Sequence, residues 1–167
     1  MKVSIIATNN LPNRNMGRFP AAELPAIAKK LVGVAAIVDH EAEYEEQWGT
    51  VVEARVERAE PTPEQLEAYP DVLRTEGLQN VVAVVQSKTQ IEIVPDVGDH
   101  ASITTAYTDL VCPGCTCEYR DADRCKKAWE ALSTLGYLER AGVQDIYEIS
   151  LVAVPAVPDA IVTNVEP

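Results

Sequence analysis

The stretch that decides the fold is Asp145-Ile-Tyr-Glu-Ile-Ser-Leu-Val-Ala-Val-Pro-Ala-Val-Pro-Asp159. Apolar residues occupy both alternating faces of its first half, a pattern typical of a strand that is covered on both sides. Strand alternation places Ile146 and Glu148 on the same face. Pro155 and Pro158 have no N–H to donate, so the hydrogen-bonded ladder is expected to stop before them. The sequence therefore predicts a central strand of a sheet.

Glu148 and Ser150 are the polar exceptions in this run. Leaving a carboxylate without a partner inside a sheet costs several kcal/mol, so another side chain is expected to meet Glu148. The best candidate is one of the only two histidines in the chain, His40 or His100. A purely structural pairing of Glu148 with an arginine or a backbone N–H is the alternative.

Composition places the chain among soluble globular proteins, with 167 residues, 47% hydrophobic and 24% charged. This length predicts one domain, residues 1–167, with an aliphatic core because only 5% of the residues are aromatic. The formal net charge of −12 disfavours binding to nucleic acid or to anionic membranes. No apolar run is long enough for a signal peptide or a membrane span, so we expect a cytoplasmic protein.

Strand patterns outnumber helix patterns along the chain. Helical periodicity covers Pro20–Leu31 and Asp121–Ala141, the second closed by Gly142. Two segments rich in turn formers, Asn9–Gly17 and Pro61–Thr75, are predicted loops, the second with one or two helical turns. Further strands are predicted over Met1–Ala7, Val34–Val38, Trp48–Glu57, Leu78–Val85, Thr89–Val94 and Ala101–Val111. This order favours an α+β fold, a mainly antiparallel β barrel or sheet with a few flanking helices.

Four cysteines form a Cys-rich insert at about 110–126, in which Cys112, Cys115, Cys117 and Cys125 are spaced C-x2-C-x-C-x7-C. The Pro-Gly turn aims the first two thiolates at one point, and the last lies in the first turn of the predicted helix, where the helix dipole favours a thiolate. Four thiolates suit a closed, structural zinc site. A redox Cys-x-x-Cys pair, free thiols and disulfides are the competing interpretations.

Part of the deciding stretch, Glu148-Ile-Ser-Leu-Val-Ala-Val-Pro-Ala-Val-Pro-Asp-Ala160, resembles the closing motif of the prohead (capsid maturation) proteases of tailed phages. Those proteases resemble the herpesvirus assemblins in fold. Leu31–His40, followed by Trp48-Gly-Thr-Val51, is similar to an N-terminal segment of the same family in order and spacing. The likeness is patchy rather than continuous along the chain.

The resemblance implies a catalytic serine, histidine and acidic residue. The family's histidine matches His40, and its acidic residue in the closing strand matches Glu148. The nearest match to the family's Ser-Ile-Gly-Phe-like motif is Ala101-Ser-Ile-Thr-Thr-Ala-Tyr107, with the glycine and the aromatic residue displaced or missing, so the serine would be Ser102. Ser87 is the fallback nucleophile, and His100 is expected in a loop.

These residue types suit peptide hydrolysis. A serine hydroxyl needs an imidazole to take its proton, and a carboxylate on the far ring nitrogen fixes the tautomer and stabilises the imidazolium. Ser102 would be the nucleophile, His40 the general base and Glu148 the orienting acid, with no cofactor for catalysis.

The expected function is that of a serine endopeptidase that cleaves scaffold and capsid proteins in the host cytoplasm, within or on the assembling phage capsid. Capsid and scaffold proteins would be its partners, and a homo-oligomer is compatible with the sequence. The alternative is a non-catalytic relative that serves as a capsid-associated or decoration protein. A third interpretation is an unrelated zinc-stabilised β domain that binds a protein partner.

Overall fold

The computed structural model describes residues 1–41, 47–88, 95–111, 130 and 132–167. Within these residues, eight strands form one mixed sheet, and three short helices and a 3-10 turn are fully described between them in sequence. The strands are β1 (Lys2–Asn9), β2 (Gly17–Arg18), β3 (Ala35–Val38), β4 (Gly49–Ala59), β5 (Leu78–Ser87), β6 (Ala101–Val111), β7 (Leu138–Leu151) and β8 (Val162–Glu166). The 3-10 turn is Ala21–Glu23, and the helices are α1 (Leu24–Leu31), α2 (Pro63–Ala68) and α3 (Pro70–Glu76).

The sheet order is β2-β7-β3-β4-β5-β1-β8, and β6 pairs with β7. Among the described strands, β7 pairs in parallel with β2 and β3, whereas the other pairings are antiparallel. The sheet also closes at one end, because His100 bridges Ile161 and the Ala101 N–H donates to the Ala160 carbonyl at 2.7 Å. The predicted α+β class and the mainly antiparallel pairing are confirmed.

The first half of the deciding stretch, through Leu151, forms the C-terminal part of β7, which pairs with β3 and β6 and is therefore central, as predicted. The prediction that Ile146 and Glu148 lie on the same face of the strand was wrong. The β6 register shifts so that Thr104 faces Glu148 while Thr105 faces Ile146, which leaves Tyr147 unpaired as a bulge. The bulge turns Ile146 into the core beside Ile149, on the face opposite to Glu148.

The N-terminal part of β7 corrects a second prediction. Helical periodicity extends through Ala141, but the helical residues end at 134 and Gly136 has a φ of +75°. Glycine adopts this left-handed conformation without a steric penalty, so Gly136 suits the end of a helix. Leu138 then pairs with Gly17 in the sheet, and Gly142 lies inside the strand.

Most other predicted elements are present, with changes at their ends. The Pro20–Leu31 segment begins as the 3-10 turn and continues as α1, and its apolar face is buried against the sheet. The Pro61–Thr75 segment is more regular than a loop, because Thr62 and Gln65 form a capping box that starts α2. Strand β8 was not predicted, and the predicted Thr89–Val94 strand lies outside the described residues.

The core is aliphatic, as the composition predicts, and lies between α1 and the sheet strands. Its fully buried members come from β1, α1, β4, β5 and β7, and they include Val3, Ile5, Leu24, Ile27, Leu31, Val51, Val81, Val85 and Ile149. Trp48 is 1% exposed, and its indole N–H donates to the Ile37 carbonyl at 3.1 Å. Trp48 thereby ties the start of β4 to β3, the strand that leads to His40.

Candidate active site

His40 lies in a tight turn directly after β3. Asp39 and His40 have φ angles of 48° and 61°, a left-handed conformation that is uncommon for residues other than glycine. The turn is held because the Asp39 N–H donates to the Leu151 carbonyl and the Glu41 N–H donates to the Val38 carbonyl, each at 2.9 Å. The turn therefore brings the imidazole back over β7.

The His40 ring meets Glu148, as the sequence predicts. The distance from His40 Nδ1 to Glu148 Oε1 is 2.7 Å, although the residues are 108 positions apart in the chain. The Glu148 side chain is 11% exposed and the His40 side chain is 45% exposed. An ionised carboxylate only accepts hydrogen bonds, so Nδ1 is the ring nitrogen that donates to it, and in a neutral imidazole Nε2 is then the acceptor.

Two hydroxyl groups complete the surroundings of the Glu148 carboxylate. Thr104 Oγ1 donates to Oε1 in a short hydrogen bond, and Ser150 Oγ donates to Oε2 at 2.5 Å. The strand register explains this grouping, because Thr104 lies directly opposite Glu148 in the β6–β7 pair and opposed side chains share a face. The carboxylate therefore has three donors, and its burial is compensated.

Ser102 lies on the same face of the sheet but not in this hydrogen-bonded group. Ser102 lies on β6 opposite Ser150 of β7. It is two residues before Thr104, which corresponds to about 7 Å along the strand. Within the described part of the chain, the hydrogen bonds of the His40 ring join it to Glu148 and to Thr104, whose Oγ1 is 3.4 Å from Nδ1. The structure thus brings together two of the three predicted residues, and the nucleophilic role of Ser102 stays a prediction.

The other sequence candidates lie elsewhere. The Ser87 hydroxyl donates to the Met1 carbonyl at 3.2 Å, at the end of β5. His100 lies in the short segment that bridges to Ile161. The four cysteines are outside the described residues, so the predicted zinc site is not described. Within the described residues, no group of three or more His, Cys, Asp or Glu side chains is arranged to hold a metal ion.

A second polar cluster, which sequence reasoning missed, surrounds Arg18. The Arg18 side chain is 4% exposed and contacts Glu76 at 2.5 Å and Glu139 at 2.8 Å. Arg18 also donates to the Asn10 carbonyl at 3.0 Å, and its guanidinium lies 5.7 Å from the centre of the Tyr137 ring. This cluster joins β2, α3 and the start of β7.

The charges of this cluster stabilise one another. Burial acts to lower the pKa of Arg18, but its hydrogen bonds to Glu76 and Glu139 outweigh burial, and the net shift is upward. Burial acts to raise the pKa of Glu76, but hydrogen bonds from Arg18, the Ala21 N–H and Asn10 lower it overall. The sequence signal for the cluster is weak, because Arg18 follows a loop and its partners are distant in the chain.

Comparisons of the chain with family models, with curated proteins and with solved structures gave no match. Across the described ranges, no helix has both the length and the apolar character needed to cross a membrane. The geometry of the site therefore carries the functional argument. It defines a histidine–carboxylate pair supported by hydroxyl groups, on a partly exposed surface of a mixed sheet.

Proposed function

We propose that this chain is a serine endopeptidase with Ser102 as nucleophile, His40 as general base and Glu148 as orienting acid. The single observation that carries the proposal is the 2.7 Å contact between His40 Nδ1 and Glu148 Oε1. A carboxylate on this ring nitrogen leaves Nε2 free to accept a proton from a nucleophile. The 45% exposure of the imidazole also leaves that nitrogen within reach of a substrate.

In the proposed reaction, His40 Nε2 takes the proton of the Ser102 hydroxyl as Oγ attacks the scissile carbonyl carbon. The imidazolium is stabilised by Glu148 and then gives the proton to the leaving amine, so the C–N bond breaks and an acyl-serine remains. Water, deprotonated by the same imidazole, hydrolyses that ester and restores the serine. Thr104 and Ser150 hold the carboxylate in place throughout.

The substrate and setting come from the resemblance to prohead proteases. The fold would be assemblin-like, the substrates would be scaffold and capsid proteins, and cleavage would take place in the host cytoplasm during head assembly. The closed, mainly antiparallel sheet supports this proposal, as does the strand that carries Glu148 before a Pro-Ala-x-Pro run. The net charge of −12 suits contact with basic protein segments better than contact with nucleic acid.

One observation favours the second candidate, a non-catalytic relative that acts as a capsid-associated protein. The hydroxyl that contacts both Glu148 and His40 belongs to Thr104, and it lies on the Nδ1 side of the ring. A hydroxyl on that side cannot give its proton to Nε2, so Thr104 is a supporting group and not a nucleophile. If Ser102 does not reach Nε2 in solution, the pair retains only a structural role.

Cleavage assays separate the two candidates. The purified protein, and its Ser102→Ala and His40→Ala variants in parallel, are incubated with candidate phage capsid and scaffold proteins. The protease proposal predicts discrete products with the unchanged protein and none with either variant. Ser102→Ala removes the nucleophile that gives up the proton, and His40→Ala removes the base that accepts it. Cleavage that persists in both variants would remove the site assignment, and absence of cleavage in all three would favour the non-catalytic relative.

We also propose that Cys112, Cys115, Cys117 and Cys125 hold a structural zinc ion. The support is their spacing and the Pro-Gly sequence between the first two, which favours a turn. Elemental analysis of protein purified under reducing conditions should then find about one zinc per chain, the stoichiometry of a closed four-thiolate site. Finding no zinc, with four titratable thiols, would leave the free-thiol interpretation.

A further inference from the structure

Ser150 is the most deeply buried polar group of the site, and its hydroxyl makes two hydrogen bonds. The residue is 1% exposed and lies one position before the end of β7. Its Oγ donates to Glu148 Oε2 at 2.5 Å and accepts the backbone N–H of His40 at 3.1 Å. One hydroxyl therefore connects the carboxylate with the backbone of the residue that carries the imidazole.

We propose that Ser150 is a positioning residue, which sets the geometry of the His40–Glu148 pair by fixing the carboxylate and the His40 turn relative to each other. The inference rests on the proposed function for its effect on catalysis, but its structural part stands without it. A hydroxyl has one proton to donate and two lone pairs to accept with, so it can serve both contacts at once.

The need for such a residue follows from the His40 turn. Two consecutive non-glycine residues in the left-handed region persist only where surrounding contacts over-determine them. The contacts from Asp39 and Glu41 hold the two flanks of the turn. The His40 N–H is the donor between them, and its partner is the Ser150 side chain rather than a backbone carbonyl. Without that acceptor, the imidazole loses its nearest backbone support.

Ser150 also restricts the rotation of the Glu148 carboxylate. His40 Nδ1 and Thr104 both contact Oε1, whereas Ser150 is the contact on Oε2. Because a carboxylate held through one oxygen can still rotate, Ser150 restricts the rotation that would move Oε1 away from the ring. The described hydrogen bonds of the Ser150 hydroxyl go to Glu148 and to the His40 backbone, so it acts through these two residues.

The activity test compares Ser150→Ala with Ser150→Thr, which keeps the hydroxyl. A misplaced base slows the chemical step by about tenfold to a hundredfold while leaving substrate binding intact. We therefore expect kcat to fall by that factor in Ser150→Ala with KM within about twofold, and Ser150→Thr to recover most of the loss. Equal kcat in Ser150→Ala and the unchanged protein would overturn the positioning role.

A second readout needs no catalysis, so it separates failure of this inference from failure of the protease proposal. The His40 amide proton should exchange with solvent about tenfold faster in Ser150→Ala, the effect of losing one hydrogen bond at this turn. The low-field signal of the His40 Nδ1 proton should weaken at the same time. Unchanged exchange and an unchanged signal would overturn the inference, whether or not the protein cleaves anything.

The control is Ser4→Ala, a serine on β1 that is half-buried and belongs to neither the pair nor its supports. It should leave the His40 exchange rate and any cleavage activity unchanged. If Ser150→Ala does not fold, the unchanged protein and Ser150→Thr still decide the matter. Both should show a His40 amide protected well beyond an exposed turn amide, and exchange at the exposed rate in both would contradict the proposal.

Discussion

Glu148 is the residue on which the proposed chemistry depends. Its carboxylate accepts from His40, Thr104 and Ser150, so all of its contacts are ones that an ionised group makes best. Its position in an apolar strand is what made it visible in the sequence, because a buried carboxylate must have a partner. Ser150 is also a polar residue in this apolar strand, so the sequence indicates that it needs a hydrogen-bond partner, but it does not identify that partner.

Glu148→Gln tests the charge of this group at nearly constant shape. An amide presents one acceptor oxygen in place of two, so it can no longer satisfy all three donors or stabilise an imidazolium. We expect cleavage to slow by about a thousandfold or more, the size of effect seen when a triad carboxylate becomes an amide. The folded structure should persist by circular dichroism, and near-normal activity in a folded variant would contradict the role of the carboxylate.

Thr104→Val distinguishes a supporting hydroxyl from a nucleophile. The substitution keeps the branched shape and removes the hydroxyl that donates to Glu148 Oε1 and lies 3.4 Å from His40 Nδ1. Activity should fall by about tenfold, the worth of one hydrogen bond, whereas Ser102→Ala should abolish it. Rates measured on one substrate preparation give the comparison. If Thr104→Val were inactive and Ser102→Ala active, the two hydroxyls would have to exchange roles.

At the scale of secondary-structure elements, the Arg18 cluster holds together the end of the molecule where β7 begins. Glu76 at the end of α3 accepts from Arg18 on β2, from Asn10 and from the Ala21 N–H. Removing one partner of a buried ion pair lowers the free energy of unfolding, because the remaining charge is buried without a compensating partner. The cluster therefore contributes to stability as a unit.

Glu76→Gln should lower the free energy of unfolding by about 1.5–3 kcal/mol near pH 7, the range for hydrogen bonds to a charged group. The pKa of Glu76 is lowered in the folded state, so its contribution is present above the unfolded value of about 4.3 and is lost as pH falls through the folded pKa. Denaturant unfolding between pH 7 and pH 3 measures both effects. The variant should show a smaller loss of stability on acidification than the unchanged protein, and an identical pH dependence would contradict this assignment.

Gly49 offers a test of the close packing between β4 and its two neighbours, β3 and β5. It lies at the start of β4 between Ala36 of β3 and Ser87 of β5, and a Cβ there would be 2.5 Å from Val85 Cγ1 and 2.8 Å from the Gln86 carbonyl oxygen. Gly49→Ala should destabilise the fold by about 2 kcal/mol through overpacking. Thr50→Ala, at the next position, should cost less than about 1 kcal/mol in the same denaturant titration. Equal stabilities of the two variants would show that the strands can separate to admit the methyl group.

The sequence predicted helices and strands well where the periodicity of apolar residues was clear. The apolar face of α1 and the bounds of β6 follow directly from periodicity. The errors occurred where tertiary contacts decide: the bulge at Tyr147 depends on β6 opposite it, and Leu138 leaves the helix pattern because it pairs with Gly17. Neither partner can be identified from spacing along the chain.

At the scale of the whole molecule, the pairing of three strands assembles the site. His40 follows β3, Thr104 lies on β6, and Glu148 and Ser150 lie on β7 between them, so three adjacent strands contribute to one group. The cost of burying a carboxylate predicted a partner for Glu148, best one of the two histidines, and the resemblance to prohead proteases pointed to His40. The sequence could not predict Thr104, because its position opposite Glu148 depends on the register between β6 and β7, which spacing along the chain does not give.

The central claim is that the His40–Glu148 pair activates the hydroxyl of Ser102, and covalent labelling with a fluorophosphonate tests it most directly. Such a probe phosphonylates only a serine made nucleophilic by a neighbouring base. Peptide mapping by mass spectrometry should find the label on Ser102, and His40→Ala and Glu148→Gln should each abolish or greatly slow it. Absence of labelling in the folded protein, or a label on another serine, would contradict the account.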